Sequence, residues 1–223
     1  MKQQKNVLII GATGGTGRAT IDALLARGHR VTAFSRHAES IEHPSPQLTR
    51  INGDATHPSD VDAAVAGKDA VVITLGITEN PLRVRLFGPA RTPLDVRSAG
   101  TRNVVAAMQK HGVHRLVVQS SYGVGETRDN LRWLDRLFFR ALLKPQIADT
   151  EAQEIEVRDS GVDWVLAQPV HLSDDDDGEA PFVSPSGEVQ GWKISRKGVA
   201  EFLADAALRP DYIGRSVALS GRP

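Results

Sequence analysis

The stretch Val7-Leu8-Ile9-Ile10-Gly11-Ala12-Thr13-Gly14-Gly15-Thr16-Gly17 decides the fold. A short apolar run meets spaced glycines, and a helical pattern follows from Arg18 to Arg27. The predicted local structure is a buried β-strand, a tight turn, and a helix whose N-terminus points at whatever lies over the turn. Unpaired amide N–H groups and the helix dipole favour an anion there, and residues without Cβ let it come close. The expected anion is the pyrophosphate of a dinucleotide, held by Gly11, Thr13, Gly14, Gly15, Thr16 and Gly17. A glycine triplet by itself also serves plain turns, and here the strand before it and the helix after it supply the context. Gly11, Gly14 and Gly17 spell G-x-x-G-x-x-G, while Gly11, Gly15 and Gly17 spell G-x-x-x-G-x-G. No Lys-Ser/Thr pair follows, which excludes a P-loop.

The 223 residues suffice for one sizeable α/β domain, and no Pro/Gly/Ser-rich linker divides them. A single NAD(P)-binding domain over 1–223 is expected. Lys and Arg number 27, as do Asp and Glu, so the formal net charge is zero. That balance argues against nucleic-acid and membrane-surface partners. Cysteine is absent, which excludes thiol catalysis, disulfides and Cys-ligated metals. No apolar run approaches transmembrane length, and residues 1–6 lead into a strand without a signal-peptide core. A cytoplasmic monomer or homodimer is expected.

Strands read as continuous apolar runs that alternate with helical patterns, the mark of a parallel sheet covered on both faces. Strands are predicted near Asn6–Ile10, Arg30–Phe34, Leu48–Asn52, Ala70–Thr74, Arg115–Gln119, Trp164–Ala167 and Ser216–Leu219. Helices are predicted at Thr16–Arg27, Ser59–Val65, Ser98–His111, Pro145–Arg158 and Arg196–Ala207. Gly28 and Gly112 stand just past helix ends, where C-terminal caps occur. The expected fold class is α/β, a single doubly wound Rossmann domain with a mainly parallel sheet. Its ligands bind beyond the carboxyl ends of the strands, where strand order reverses.

The end of the second strand separates NAD from NADP. An acid there would bond the ribose 2′-hydroxyl and repel a 2′-phosphate. This chain has Ser35-Arg36-His37 and no acid before Glu39. Arg36 suits a 2′-phosphate through its planar fork and suits adenine by stacking, so NADP(H) is the expected cofactor. The plainer reading is a solvated loop arginine. Asp54-Ala55 follow the third strand and Leu75-Gly76 the fourth. Asp54 is read in two ways, as acceptor for the adenine amino group or as cap of the helix after Pro58. Leu75-Gly76 are expected beside the adenosine ribose.

The glycine pattern, Gly53-Asp54, the segment from Asp60 to Val71 and the segment from Arg102 to Val113 resemble the atypical short-chain dehydrogenases. The likeness is to the NmrA-like group that includes biliverdin-IXβ reductase, also called flavin reductase. The segment from Ser160 to Pro169 resembles that group's sixth-strand motif, so the likeness covers nearly the whole chain. Two segments depart from it: 79–96 is longer, and 174–179 is unusually acidic. The ordinary family member uses a Tyr-x-x-x-Lys pair. Here Glu126 stands four residues after Tyr122, and Ser216 four after Tyr212, so the pair is absent. Classical alcohol–ketone chemistry is therefore not expected.

The resemblance implies another arrangement. Ser120-Ser121 end the fifth strand beside the nicotinamide position, and Pro169-Val170-His171 follow the sixth. Ser121 matches the family's active-site serine, and His171 its histidine near the substrate. These two are the catalytic candidates, with Ser120, Ser121, Pro169, Val170 and His171 also at the cofactor. Hydride addition to a planar conjugated acceptor needs proximity more than a strong acid, and water can supply the proton. His171 is read either as proton donor or as a loop residue bonded to backbone.

Asp149 and Glu154 match acidic positions of NmrA-like relatives. Five residues apart on a helix, they do not share a face, and they are read as structural or as partners of arginines. Arg128, Arg132, Arg136 and Arg140 recur every fourth residue beside aromatic side chains. With Arg83, Arg85 and Arg91 they form either a rim for a planar anion or a solvated face paired with Asp149, Glu151 and Glu156. The substrate rim is expected from the loops near 77–97 and 122–145 and from 170–195. The run Asp174–Asp177 reads as hydrated acids, and no metal site is expected. The function expected is an NADPH-dependent reductase of a small planar acceptor, a flavin or biliverdin-like molecule. The alternative is an NmrA-type redox-sensing regulator that binds NADP(H) without turnover.

Overall fold

Strand β1 (Asn6–Ile10) runs through the middle of the sheet with Val7, Leu8, Ile9 and Ile10 all fully buried. Its pairing partners, β2 (Arg30–Ser35) and β4 (Ala70–Ile73), are both parallel to it. The computed structural model describes residues 3–76, 92–130, 144–175 and 178–222. Beyond β2 lies β3 (Leu48–Asn52), and beyond β4 lie β5 (Arg115–Gln119) and β6 (Asp163–Pro169). Strand β10 (Arg215–Ser220) joins β6 in parallel, and β8 (Phe182–Ser184) closes that edge antiparallel to β10. The spatial order is therefore β3-β2-β1-β4-β5-β6-β10-β8, with the reversal of strand order between β1 and β4. Two short strands, β7 (His171–Ser173) and β9 (Lys193–Ser195), pair apart from the main sheet.

Alternate residues of each strand feed two cores. Val7 and Ile9 face α1 (Gly15–Ala26) and α5 (Arg196–Leu208), where Ile21, Leu24, Val199 and Leu203 pack. Leu8 and Ile10 face α2 (Pro58–Val65), α3 (Val96–His111) and α4 (Lys144–Arg158), through Val61, Val104, Met108 and Val157. Two covered faces are why the strands read as unbroken apolar runs rather than alternating ones. Gly112 ends α3 in the left-handed conformation, at φ 65°, as its position after the helical pattern predicts.

The expected elements are all present with nearly the expected bounds. β7, β8 and β9 were not expected, because three-residue strands of mixed polarity carry no readable period. Among the described residues, no helix is long and apolar enough to cross a membrane.

Candidate cofactor and active site

A cleft of about 590 Å³ opens at the carboxyl ends of β1 to β5, over the point where strand order reverses. Its floor is the glycine turn. Gly11 has φ +87°, and a Cβ there would stand 2.8 Å from the Thr74 carbonyl oxygen. A Cβ on Gly17 would stand 2.5 Å from the Gly11 oxygen, so this glycine lets α1 approach the turn and does not itself line the cleft. Gly14 differs from both. Its φ is −68°, and an added Cβ would meet only the Gly11 oxygen, at 3.4 Å. The fold tolerates a side chain at Gly14, and what requires its absence is the open space above it. Gly14 is the N-cap of α1 and makes no side-chain capping bond, which leaves the first-turn amides for a ligand.

The end of the cleft where adenosine is expected is built by β2 and the β3–α2 connection. Ser35 and Arg36 line it. Ser35 Oγ is buried without a hydrogen-bond partner, and Arg36 donates to Thr92 Oγ1 at 3.2 Å across the cleft. An orphan hydroxyl beside a guanidinium suits an anionic ligand group. Asp54 also lines this end and does not cap α2, which corrects one of its two readings. Its Oδ1 accepts from the Thr56 amide at 2.9 Å and the Thr56 hydroxyl at 2.7 Å, a bond to the chain two residues on that an Asp makes more readily than a distant cap. Burial pushes its carboxyl pKa up. The Thr56 donors, then the His57 and Arg36 charges, outweigh burial and leave it below the ordinary value. Ala55, Leu75 and Gly76 line the adjoining wall.

The other end departs from expectation. Gln119 lines the cleft, but Ser120 does not. Ser120 is buried, and its hydroxyl donates to Glu154 Oε1 at 2.5 Å. Ser121 is half-buried and makes one long contact, 3.4 Å, to the Tyr122 carbonyl. Pro169 and Val170 are tied into the sheet: the Tyr122 amide donates to the Pro169 carbonyl and the Val170 amide to Leu219. His171 is exposed and lies outside the cleft, while its neighbour Leu172 lines it. Alternation along β7 explains the exchange, since successive side chains point to opposite faces. The structure therefore does not bring Ser120, Ser121, Pro169, Val170 and His171 to the cleft surface.

Several cleft residues escaped the sequence reading, Arg97, Arg196 and Leu172 among them. Arg97, at the start of α3, lies between Gly76 and Gln119 and donates to the Gln119 carbonyl at 3.3 Å. Burial lowers its guanidinium pKa, and the Asp149 charge opposes that. Arg196, at the start of α5, and Leu172 close the cleft over the glycine turn. None of these three sits in a motif, and their arrival depends on how α3, β7 and α5 pack.

Asp149 and Glu154 prove to be structural. Asp149 accepts from the Arg97 amide, the Ser98 amide and the Ser98 hydroxyl, so α4 supplies the cap that Asp95 does not provide for α3. Glu154 accepts from Ser120, Gln168 and Arg158. Of the arginine stripe, Arg128 pairs with Glu151, while Arg132, Arg136 and Arg140 lie outside the described residues, as do Arg83, Arg85 and Arg91. Asp174 and Asp175 pair with Arg196 and Lys193, and the remaining two acids of the run lie outside the described residues. Among the described residues, no cluster of His, Cys, Asp and Glu is arranged to hold a metal ion.

Residues 11–210 match the family model described as NAD(P)H-binding. The chain belongs to this family. The match makes the protein NAD(P)H-binding, in keeping with the resemblance drawn from its glycine pattern. An uncharacterized chloroplastic protein of Arabidopsis thaliana is 28% identical over 222 residues, 98% of this chain and 77% of that one. A 3-beta-hydroxysteroid dehydrogenase of Mycolicibacterium neoaurum is 35% identical over 125 residues, 53% of this chain but only 32% of the dehydrogenase. A Rossmann-fold NAD(P)-binding family protein from Shigella flexneri superposes with a TM-score of 0.72 at 27% identity, over 99% of this chain and 95% of that one. ChuY, an anaerobillin reductase from Escherichia coli O157:H7, superposes with a TM-score of 0.76 at 22% identity, over 96% of each chain, a likeness of fold. In this NAD(P)H-binding protein, the glycine turn, the orphan Ser35 hydroxyl and Arg36 line the same cleft.

Proposed function

We propose that this chain is an NADPH-dependent reductase of flavins or related planar conjugated acceptors such as biliverdin. The observation that carries this reading is the state of Tyr122. Its ring is buried, its hydroxyl donates to the Gly187 carbonyl at 3.1 Å, and the residue four positions on is Glu126. A tyrosine held in this way cannot serve as the acid of an alcohol–ketone dehydrogenase. An acceptor that takes hydride into a conjugated ring, with its proton from water, does not need one. The name of the fold neighbour ChuY points the same way.

The bound nicotinamide would supply the hydride. The chain's own residues bind and orient: the α1 amides and Gly14 at the pyrophosphate, Arg36 and Ser35 at a 2′-phosphate, and Asp54 through its second carboxylate oxygen at adenine. His171 is exposed outside the cleft, which favours water as the proton source. The partner is then a small molecule, with no nucleic acid or membrane, and the setting cytoplasmic. The test is steady-state NADPH oxidation with FMN, riboflavin and biliverdin isomers, beside a dissociation constant for NADP.

One observation favours the second reading, an NADP(H)-binding regulator without turnover. The Arg97 guanidinium occupies space beside Gly76 and Gln119 at the end where an acceptor must enter. Tight NADP binding with no oxidation of NADPH by any of these acceptors would establish that reading in place of the first.

A further inference from the structure

Gly15 carries a clue that the turn itself does not explain. Its backbone is outside the left-handed region, yet a Cβ there would stand 2.7 Å from Arg196 Cδ and 2.9 Å from Nε. The stem of Arg196 therefore lies on the first turn of α1, over the amides that face the cleft. Its position is fixed from both sides. Ser195 Oγ caps α5 by accepting from the Gly198 amide at 3.0 Å, and β9 pairs with β7 in the register Ser195 to Ser173. That register sets Asp174, the residue after β7, beside Arg196, the residue after β9. Arg196 NH1 donates to Asp174 Oδ1 at 2.6 Å, and Asp174 is otherwise exposed.

An exposed pair of this kind is weak. A pyrophosphate over the glycine turn would offer the same guanidinium several charged oxygens in bidentate geometry, and would bring no ordering of a mobile side chain beyond what the Gly15 contact already imposes. We propose that Arg196 is a pyrophosphate-binding residue, and that Asp174 holds its guanidinium until the dinucleotide displaces it. The inference rests on the dinucleotide reading of the cleft. It gives a role to the first acid of the 174–177 run and sets the Arg196 guanidinium across the pyrophosphate from the α1 amides.

The experiment is a double-mutant cycle read by dissociation constants for NADP and, as a ligand without pyrophosphate, adenosine 2′-monophosphate. At low ionic strength, Arg196→Ala and Arg196→Gln are each expected to weaken NADP about tenfold and to leave adenosine 2′-monophosphate unchanged. Gln keeps a long stem on Gly15, so full affinity in that variant would overturn the proposal. Asp174→Asn is expected to tighten NADP about two- to fivefold by removing the competitor. The double variant Arg196→Ala/Asp174→Asn is expected to match Arg196→Ala. An Asp174→Asn variant with unchanged or weaker affinity, or additivity in the cycle, would also overturn it. Wild-type protein that fails to bind NADP at all would overturn the dinucleotide reading instead.

Discussion

Ser120 and Glu154 form a buried pair, with the serine hydroxyl 2.5 Å from Glu154 Oε1. The same oxygen accepts from Gln168 Nε2 at 2.8 Å, and Oε2 accepts from Arg158 at 3.0 Å. The pair ties the end of β5 to α4 and β6, directly behind the cleft. Ser120→Ala should lower unfolding free energy by about 1–3 kcal/mol, because it strips a donor from a buried carboxylate. Glu154→Ala should cost more, since it removes the acceptor that Ser120, Gln168 and Arg158 share. Chemical denaturation checks both. Equal stability of Ser120→Ala and wild type would show that Ser120 is free to act elsewhere.

Cofactor choice should follow Arg36. Arg36→Ala is expected to lose a charge-assisted contact of about 1.5–3 kcal/mol, roughly one to two decades in NADPH affinity, with little change for NADH. Titration of both cofactors into both proteins measures it. A loss shared equally by NADH and NADPH would remove Arg36 from the 2′-phosphate.

The glycines of the turn should separate into two classes. Gly14→Val should fold, since a Cβ there meets nothing closer than 3.4 Å, yet should abolish dinucleotide binding. Gly11→Ala should be destabilised outright, because its φ of +87° and the Thr74 carbonyl both oppose a Cβ. Thermal unfolding alongside NADPH titration distinguishes the two, and NADPH affinity retained in folded Gly14→Val would move the cofactor elsewhere.

Tyr122 should behave as a structural phenol. Burial raises its pKa above the ordinary 10.0, with the Asn130 contact opposing. The folded state then holds the phenolic proton more tightly than the unfolded state does. Its contribution to stability is complete below the ordinary tyrosine value and falls as pH rises from there through the raised folded value. Tyr122→Phe should lose about 1 kcal/mol at neutral pH through the hydrogen bond to Gly187, flatten this alkaline decline, and keep most flavin reductase turnover. Loss of turnover in Tyr122→Phe with NADPH still bound would point to a tyrosine-dependent carbonyl reductase.

The sequence by itself determined the parallel strands of the sheet, the glycine turn and the β2 side of the cleft. Each is local: the turn and its flanking strand and helix occupy consecutive residues, and Ser35, Arg36, Asp54, Leu75 and Gly76 sit at strand ends that apolar runs mark plainly. Tertiary structure decided the other end. Whether Ser120 faces the cleft or Glu154 depends on a helix about thirty positions away in the chain, and whether His171 or Leu172 lines the cleft depends on the pairing of β7 with β9. Arg97 and Arg196 reach the cleft because α3 and α5 begin there, and Asp174 meets Arg196 because two short strands align them. Contacts between residues distant in the chain leave no spacing to read, so these placements appear only when the chain is folded.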